Sequence, residues 1–464
     1  MDQGRFVQTR DYSPGNVTRL LSLHGNLGKL VLKSAGALWP PNLAVVARNA
    51  RDRRRVEPWS NFVAHTSDPK ATVREALEWS VHWLTTSQDR VGTGGVGSYE
   101  FYGWTPGYPE VTGYIIPTMW DCRHALDREE LADRAIWMAD WELGIQKEEG
   151  GWEGDVEGAN QPTLVFNTGQ VVRGLLRTHQ ETGEGRYLEA AVHASDWIVK
   201  NQEEDGSWTV ANFRQMKRVY DSYVTPGLAR IASLTGNEAY ARAAIRNCEF
   251  VLRQQRENGW FDLSDNSPYF NDTSTPHTIC YTIDGLLETG ELVSRDDFVA
   301  AGTKAADALM RCIGPSGLLR GRFDDNWRAR VRWSCLTGCA QLGIIMMKLH
   351  AHSGEERYRE AARRLTDFLI YMQRLNGVGP NRGGALPGSY PIWGTYAPFK
   401  YPCWATKYLI DLLLLMEQGG DEKADRTGSA LQSAGLVQAR RLTAQVTDGS
   451  KQARDSHVDR LSGA

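Results

Sequence analysis

The sequence predicts an all-α fold, an (α/α)6 toroid of six helical hairpins closed into a ring. Three observations carry this expectation. One phrase recurs, as WELGIQKEEGGW at 141–152, WIVKNQEEDGSW at 197–208 and FVLRQQRENGW at 250–260. Weaker copies at Gln88, Cys312 and Gln373 join Gln146, Gln202 and Gln255 in a series spaced 58, 56, 53, 57 and 61 residues apart. That period exceeds a tetratricopeptide or ankyrin unit and holds two helices and two loops. Six such units close into a ring, and a ring encloses a cavity where function is to be sought.

The helices follow in order. Outer helices are expected at 69–87, 128–145, 186–201, 238–254, 296–311 and 356–372, where apolar residues keep the three-four rhythm of a single buried face. TGEGRYLEAA, TGNEAYARAA and SGEERYREAA each read as a helix stop at Gly, a short turn and a new helix whose early Tyr packs between hairpins. Inner helices are expected at 110–126, 163–182, 219–235, 275–287, 334–352 and 402–416. These are apolar on most sides, and their Thr-Gly steps (112–113, 168–169, 337–338) let neighbours approach closely. Long loops run from outer to inner helix and short ones return. Function is therefore expected where the long loops gather, beside the inner-helix N-termini, which favour an anionic ligand.

The ring frames residues 69–417, with an N-terminal extension (1–68) before it and a polar tail (418–464) after it. Residues 17–38 form an amphipathic stretch, interrupted by Arg19, Lys29 and Lys33, suited to the barrel surface or a peripheral membrane contact but not to a membrane span. RNARDRRR at 48–55 reads as a solvated linker. The start of the chain lacks an apolar signal core, so a cytoplasmic location is expected, peripheral to the membrane at most. A chain of 464 residues, 41% hydrophobic, can bury a large core, and a net charge of −3 gives nucleic acid no footing. Seven scattered cysteines read as reduced buried thiols. Cys335 and Cys339 lie one helical turn apart, but no CxxC or HExxH pattern accompanies them, so neither metal nor cofactor is expected.

The aromatic-aliphatic-x3-Gln-x3-Gly-x-Trp pattern, complete at 197–208, resembles the QW repeat of triterpene cyclases and their prenyltransferase relatives. Their DxDD proton-donor motif is missing, so that resemblance supports the ring alone. The span 69–417 is also similar to six-hairpin sugar-active enzymes: unsaturated glucuronyl hydrolases, N-acylglucosamine 2-epimerases and uronate lyases. Ile283-Asp284-Gly285 and Asn167-Thr168-Gly169-Gln170 resemble inner-helix segments of the first of these, and YPEVTGYIIPT at 108–118 resembles a string from proteins of bacterial polysaccharide clusters. The resemblance implies an enzyme acting on an acidic carbohydrate.

Candidate site residues fall in the long loops and first inner turns. Glu110 opens an inner helix, either as a cap for its dipole or as a site carboxyl. Hydrolysis needs a proton donor and a second carboxylate, a pair that Glu110 with Asp221 or Asp325 would supply. Proton abstraction beside a uronate carboxylate needs instead a His or Tyr base and a neutralising cation, which His277, Tyr223 and Arg382 would supply. Trp152, Glu153, Asp155 and Glu157 form a further loop cluster. Tyr102, Trp104, Trp152, Asn167, Tyr220, Trp327 and Trp393 are expected to line the sugar path. Three readings stay open: hydrolase, or lyase and epimerase chemistry, on an acidic glycan; a terpene cyclase-like enzyme; and a non-catalytic glycan-binding protein.

Overall fold

The computed structural model describes residues 40–56, 69–267, 272–377, 379 and 381–420. A lone helix α1 (Pro40–Val56) precedes the ring. Then follow α2 (Pro69–Val91), α3 (Pro109–Leu126), α4 (Glu130–Ile145), α5 (Val165–Thr182), α6 (Gly185–Lys200), α7 (Thr225–Thr235), α8 (Glu238–Arg253), α9 (Pro276–Leu292), α10 (Asp296–Met310), α11 (Leu336–Ser353), α12 (Glu356–Asn376) and α13 (Cys403–Gly420). The inner helices α3, α5, α7, α9, α11 and α13 each pack on the next, and α13 packs back on α3, so the (α/α)6 ring is closed.

The expected helices are all present, with shifted ends. The one expected at 219–235 begins instead as a 3-10 turn (Val219–Val224) before α7, because Ser222 crosses α9 at Gly285, where a Cβ would sit 2.3 Å from the Ser222 carbonyl oxygen. The tight hairpins also run from inner to outer helix, α3/α4 through α11/α12. The sixth is built from the two ends of the ring, α13 against α2.

The repeated phrase is a staple between neighbouring outer helices. Gln146 donates from Nε2 to its own turn at Gly150 O (2.8 Å) and to Ala190 O of the next outer helix (3.0 Å). Gln202 does the same to Gly206 O and Ala243 O, and Gln88 to Gly94 O and Arg134 O. Gln373 closes the circle, reaching Gly384 O and Ala76 O on α2. Each amide adds two hydrogen bonds, buried or half-buried, about 1 kcal/mol apiece. The turn glycine is obligatory: Gly206 has φ +87° and a Cβ there would lie 2.2 Å from Arg246 O. Trp152 and Trp208 complete the staple, both fully buried, with Nε1–H given to Glu142 O and Ile198 O. The tyrosines of the TG-x-x-x-Y openings pair with the preceding outer helix, Tyr187 with Asp140 at 2.7 Å and Tyr240 with Asp196 at 2.6 Å.

Thr-Gly steps do two jobs. A Cβ on Gly113 would meet Val171 Cα at 2.6 Å, so the glycine sets the inner-helix spacing. Thr112 and Thr168 accept the backbone N–H of Val96 and Trp152, tying the incoming loop to the helix. At that end short strands bind the long loops together: β1 (Tyr99–Glu100) between β2 (Gly103–Trp104) and β7 (Lys400–Tyr401), β3 (Thr273–Ser274) with β4 (Phe323–Asp324), and β5 (Ser334–Cys335) with β6 (Ser389–Tyr390), all antiparallel.

Residues 48–55, expected as a solvated linker, lie in α1 instead. Asn49 is buried and hydrogen-bonded to Asn376, and Asp52 binds Tyr371 and Tyr390, so α1 lies against the last hairpin. The amphipathic stretch 17–38 and the tail beyond Gly420 lie outside the described residues. All seven cysteines are free thiols, six of them buried. Among the described residues no helix is long and apolar enough to cross a membrane.

Candidate active site

The first turns of the inner helices raise a tier of aromatic side chains around the ring axis. Tyr281 of α9 meets Tyr223 at 4.7 Å between centroids, Phe166 of α5 at 5.0 Å, His277 at 4.5 Å and Tyr408 of α13 at 6.1 Å. Tyr114 of α3 packs tilted against Tyr408 at 5.6 Å, and Tyr396 lies 5.4 Å from His277 with its hydroxyl taking the Trp404 Nε1–H. Glu110 sits among them. Burial above all pushes the hydroxyls of Tyr114, Tyr220, Tyr281 and Tyr396 upward in pKa, and the Glu110 charge adds to the shift of each.

Two titratable groups in this tier are held near neutrality. Burial pushes Glu110 up to about 7; the Tyr108 hydroxyl donating to Oε2 at 2.9 Å opposes this, and the Asp155 charge adds to it. Pro109 and Glu110 form the first turn of α3, whose free N–H groups face that carboxyl's end of the helix. Burial takes His277 the other way, down to about 4, against the opposing hydrogen bond to Gln341. Gln341 Oε1 lies 2.7 Å from His277 Nδ1, which puts the proton on Nδ1 and leaves Nε2 as the basic nitrogen. A hollow of about 300 Å³ opens alongside, lined by Pro109, the end of α4, Lys147, Trp152, Glu153 and Glu157.

The other expected site residues divide. Tyr220 and Tyr223 belong to the aromatic tier, and Asn167, buried, donates to Glu153 O at 3.2 Å at its edge. Asp221 is fully buried on the 3-10 turn, its Oδ2 taking the Asn212 amide at 2.5 Å; burial drives its carboxyl well above the usual range, with Asn212 and Arg218 opposing. Asp325 is drawn outward by Arg256, 2.7 Å away, which also holds Asp262. Neither carboxyl acts on Glu110 as the sequence expects; the charge that does is that of Asp155, on an exposed loop. Arg382 does not offer a cation to substrate. Its guanidinium is enclosed by Tyr99, Phe101 and Tyr401 and bonded to Asn42 of α1.

Most of the tryptophans pack. Trp152 is the floor of the staple described above, Trp327 stands on Trp260 at 5.2 Å, and Trp104 lies between Trp83 and Tyr99. Trp393 is partly buried against the core, and Tyr102 is exposed at the tip of the β1–β2 hairpin.

Below the aromatic tier, one to three turns further along the same helices, the lumen turns ionic. Glu288 of α9 is gripped by Arg173 of α5 (3.0 Å) and Arg230 of α7 (2.5 Å), and Asp284 by Lys348 of α11 (2.5 Å). Asp411 of α13 takes Lys407 and Thr118 of α3, both at 2.6 Å, and Arg177 takes Asp121 at 2.8 Å. All six inner helices contribute. Burial alone would raise Glu288, but Arg173 and Arg230 outweigh it and hold the carboxylate far below its usual range.

Solved structures share this fold. A heparin-specific unsaturated glucuronyl hydrolase superposes with a TM-score of 0.61 at 13% identity, over 76% of this chain and 99% of its own. The unsaturated glucuronyl hydrolase of Streptococcus agalactiae gives 0.59 at 12%, over 76% and 94%. Cellobiose 2-epimerase from Bacillus thermoamylovorans gives 0.59 at 10%, over 74% and 98%. No family model matches the chain, and no curated protein sequence does. At these identities the likeness establishes the (α/α)6 toroid; chemistry must come from the side chains.

Sequence reasoning missed much of the tier. Tyr281 had a signal, one turn after His277 on a helix already read as inner. Tyr114 had the same signal, one turn after Glu110; Tyr396, Tyr408 and Gln341 had none. Asp155 was grouped with its loop neighbours, and only the folded loop brings it to Glu110.

Proposed function

We propose that this chain is a carbohydrate-active enzyme acting on an acidic, uronate-containing glycan, with glycoside hydrolysis as its reaction. One observation carries the reading. A carboxyl held at about 7 stands at the mouth of an aromatic-lined ring, bonded to a tyrosine hydroxyl rather than to a cation. At neutral pH such a group is part acid and part base, the state a general acid requires. Glu110 would protonate the leaving glycosidic oxygen. Asp155, the carboxylate that acts on it, would orient or deprotonate the attacking water. Trp404, half-buried, would offer a ring face to a sugar, and the inner-helix N-termini would offer N–H groups to a uronate carboxylate.

A second reading has its own observation. His277 is neutral and carries its proton on Nδ1, so Nε2 could abstract a proton beside a uronate carboxylate, as lyase or epimerase chemistry needs. Uronate oligosaccharides incubated with the protein in heavy water separate the two by mass spectrometry. Cleavage with uptake of water is the expected result. An unsaturated product, or deuterium uptake without cleavage, transfers the chemistry to His277, and no change on any acidic oligosaccharide removes the enzymatic reading.

A further inference from the structure

The loop from α10 to α11 folds back on itself over residues 320–333, RGRFDDNWRARVRW. Arg330 N donates to Arg322 O at 2.9 Å, Asp324 N to Arg328 O at 3.0 Å and Gly321 N to Trp333 O at 2.8 Å, with Phe323 bridged to Ala329. The Phe323–Ala329 register sets Arg322 opposite Arg330 and Asp324 opposite Arg328; beyond it the ladder bulges, and Gly321 faces Trp333. Alternate residues of a strand share a face, so Arg322, Arg328 and Arg330 stand on one side of this ladder, while Phe323 is buried on the other.

Like charges directly opposed across a ladder destabilise it; among the described residues Arg322 and Arg330 each have a carboxylate in reach, Arg328 and Arg332 do not. Arg322 is paired with Asp265 at 2.6 Å. Arg330 lies 3.6 Å from Asp324, whose Oδ1 is already occupied by the backbone N–H groups of Asn326 and Arg328. Asp325 is taken by Arg256. Arg328, Arg330 and Arg332 are exposed. The hairpin is also tied to the site. β4 pairs with β3, the segment that leads into His277, and the Asp265 held by Arg322 is one of the charges acting on Tyr220 in the aromatic tier.

We propose that this arginine face is a docking strip for a polyanionic glycan chain, which it holds across the rim while one unit reaches Glu110. Residues two apart on a strand are roughly 6.6 Å apart, so Arg328 and Arg330 can meet successive acidic units, with Arg332 exposed beyond them. Each guanidinium can take a carboxylate or sulfate with two parallel hydrogen bonds. The proposal rests on the acidic-glycan reading for the identity of the polymer, and on the hairpin alone for the binding.

The test uses the full chain with polygalacturonate, neutral dextran and duplex DNA as probes, and compares wild type with R328A/R330A/R332A and R328K/R330K/R332K. Wild type should bind polygalacturonate, losing affinity at least about tenfold between roughly 50 and 200 mM salt. The alanine variant should lose a further tenfold or more at low salt without a change in melting temperature, and the lysine variant should bind between the two. Equal binding by wild type and the alanine variant, or equal binding of dextran, overturns the strip. Tighter arginine-dependent binding of DNA than of polygalacturonate replaces the glycan with nucleic acid. Binding is read without turnover, so a chain that is held but never cleaved keeps the strip and sinks only the catalytic reading.

Discussion

The two tiers of the lumen are buried by the same six helices, yet burial does opposite things in them. In the ionic tier each charge meets its counter-charge, and Glu288 is held far into its ionised form by Arg173 and Arg230. In the aromatic tier Glu110 and His277 meet tyrosines and an amide, and burial drives both toward the neutral form. The contrast teaches that desolvation alone does not make a site. What separates Glu110 from Glu288 is desolvation without a fixed cation, which keeps its proton available at neutral pH.

Substitutions can break this comparison. Glu110→Gln should lower kcat on uronate oligosaccharides by about 10²–10⁴-fold and abolish an alkaline limb with an apparent pKa of about 7; wild-type rates would place the chemistry elsewhere. Glu288→Ala should leave activity to the upper tier but strand Arg173 and Arg230. Breaking a fully buried pair costs about 3–5 kcal/mol; with Glu288 14% exposed the loss in denaturant unfolding should fall short of that. A loss below about 1 kcal/mol, the surface-pair range, would mean that the lower tier is effectively solvated.

Smaller effects sharpen the same contrast through pH. The folded pKa of Glu110 is raised, so its contribution to stability is intact at acid pH and is lost as pH rises toward and through about 7. Glu110→Gln should therefore raise the melting temperature at pH 8 and leave it unchanged at pH 4. His277 works in the reverse direction. Its folded pKa is lowered to about 4, so stability falls as pH drops below the ordinary histidine value, and levels off below about 4. His277→Gln should flatten that acid slope; an unaltered slope would show that His277 is solvated and titrates normally.

The ring was legible because its staple is written locally: Gln, Gly and Trp sit within a dozen residues of each other, and Gln146 reaches the neighbouring helix whatever the rest of the sequence does. Glu110 was legible for the same reason, as a carboxyl opening an inner helix. Its bonded partner Tyr108, two residues earlier, is equally local; the groups that come from elsewhere in the chain were not legible. Asp155 reaches Glu110 through a loop with a left-handed turn at Asp155 itself (φ +64°), and Gln341 reaches His277 across 64 residues. Asp221 failed as a lumen carboxyl because the 3-10 turn forced by Gly285 changes which side of the chain faces inward, delivering it to Asn212. Arg382 failed because α1, whose sequence looked like a linker, supplies Asn42 to hold it.

The sixth hairpin is the one joint of the ring with no covalent connection of its own: α13 and α2 pair as the other inner and outer helices do, with Arg74 reaching Glu417 at 2.9 Å across the gap. The other five hairpins are crossed by turns of two or three residues. Where the chain is cut is therefore a free choice of topology. A short bridge from the end of α13 to the start of α2, with new ends opened at an exposed return such as Gly183–Glu184, should yield a circular permutant with the same lumen.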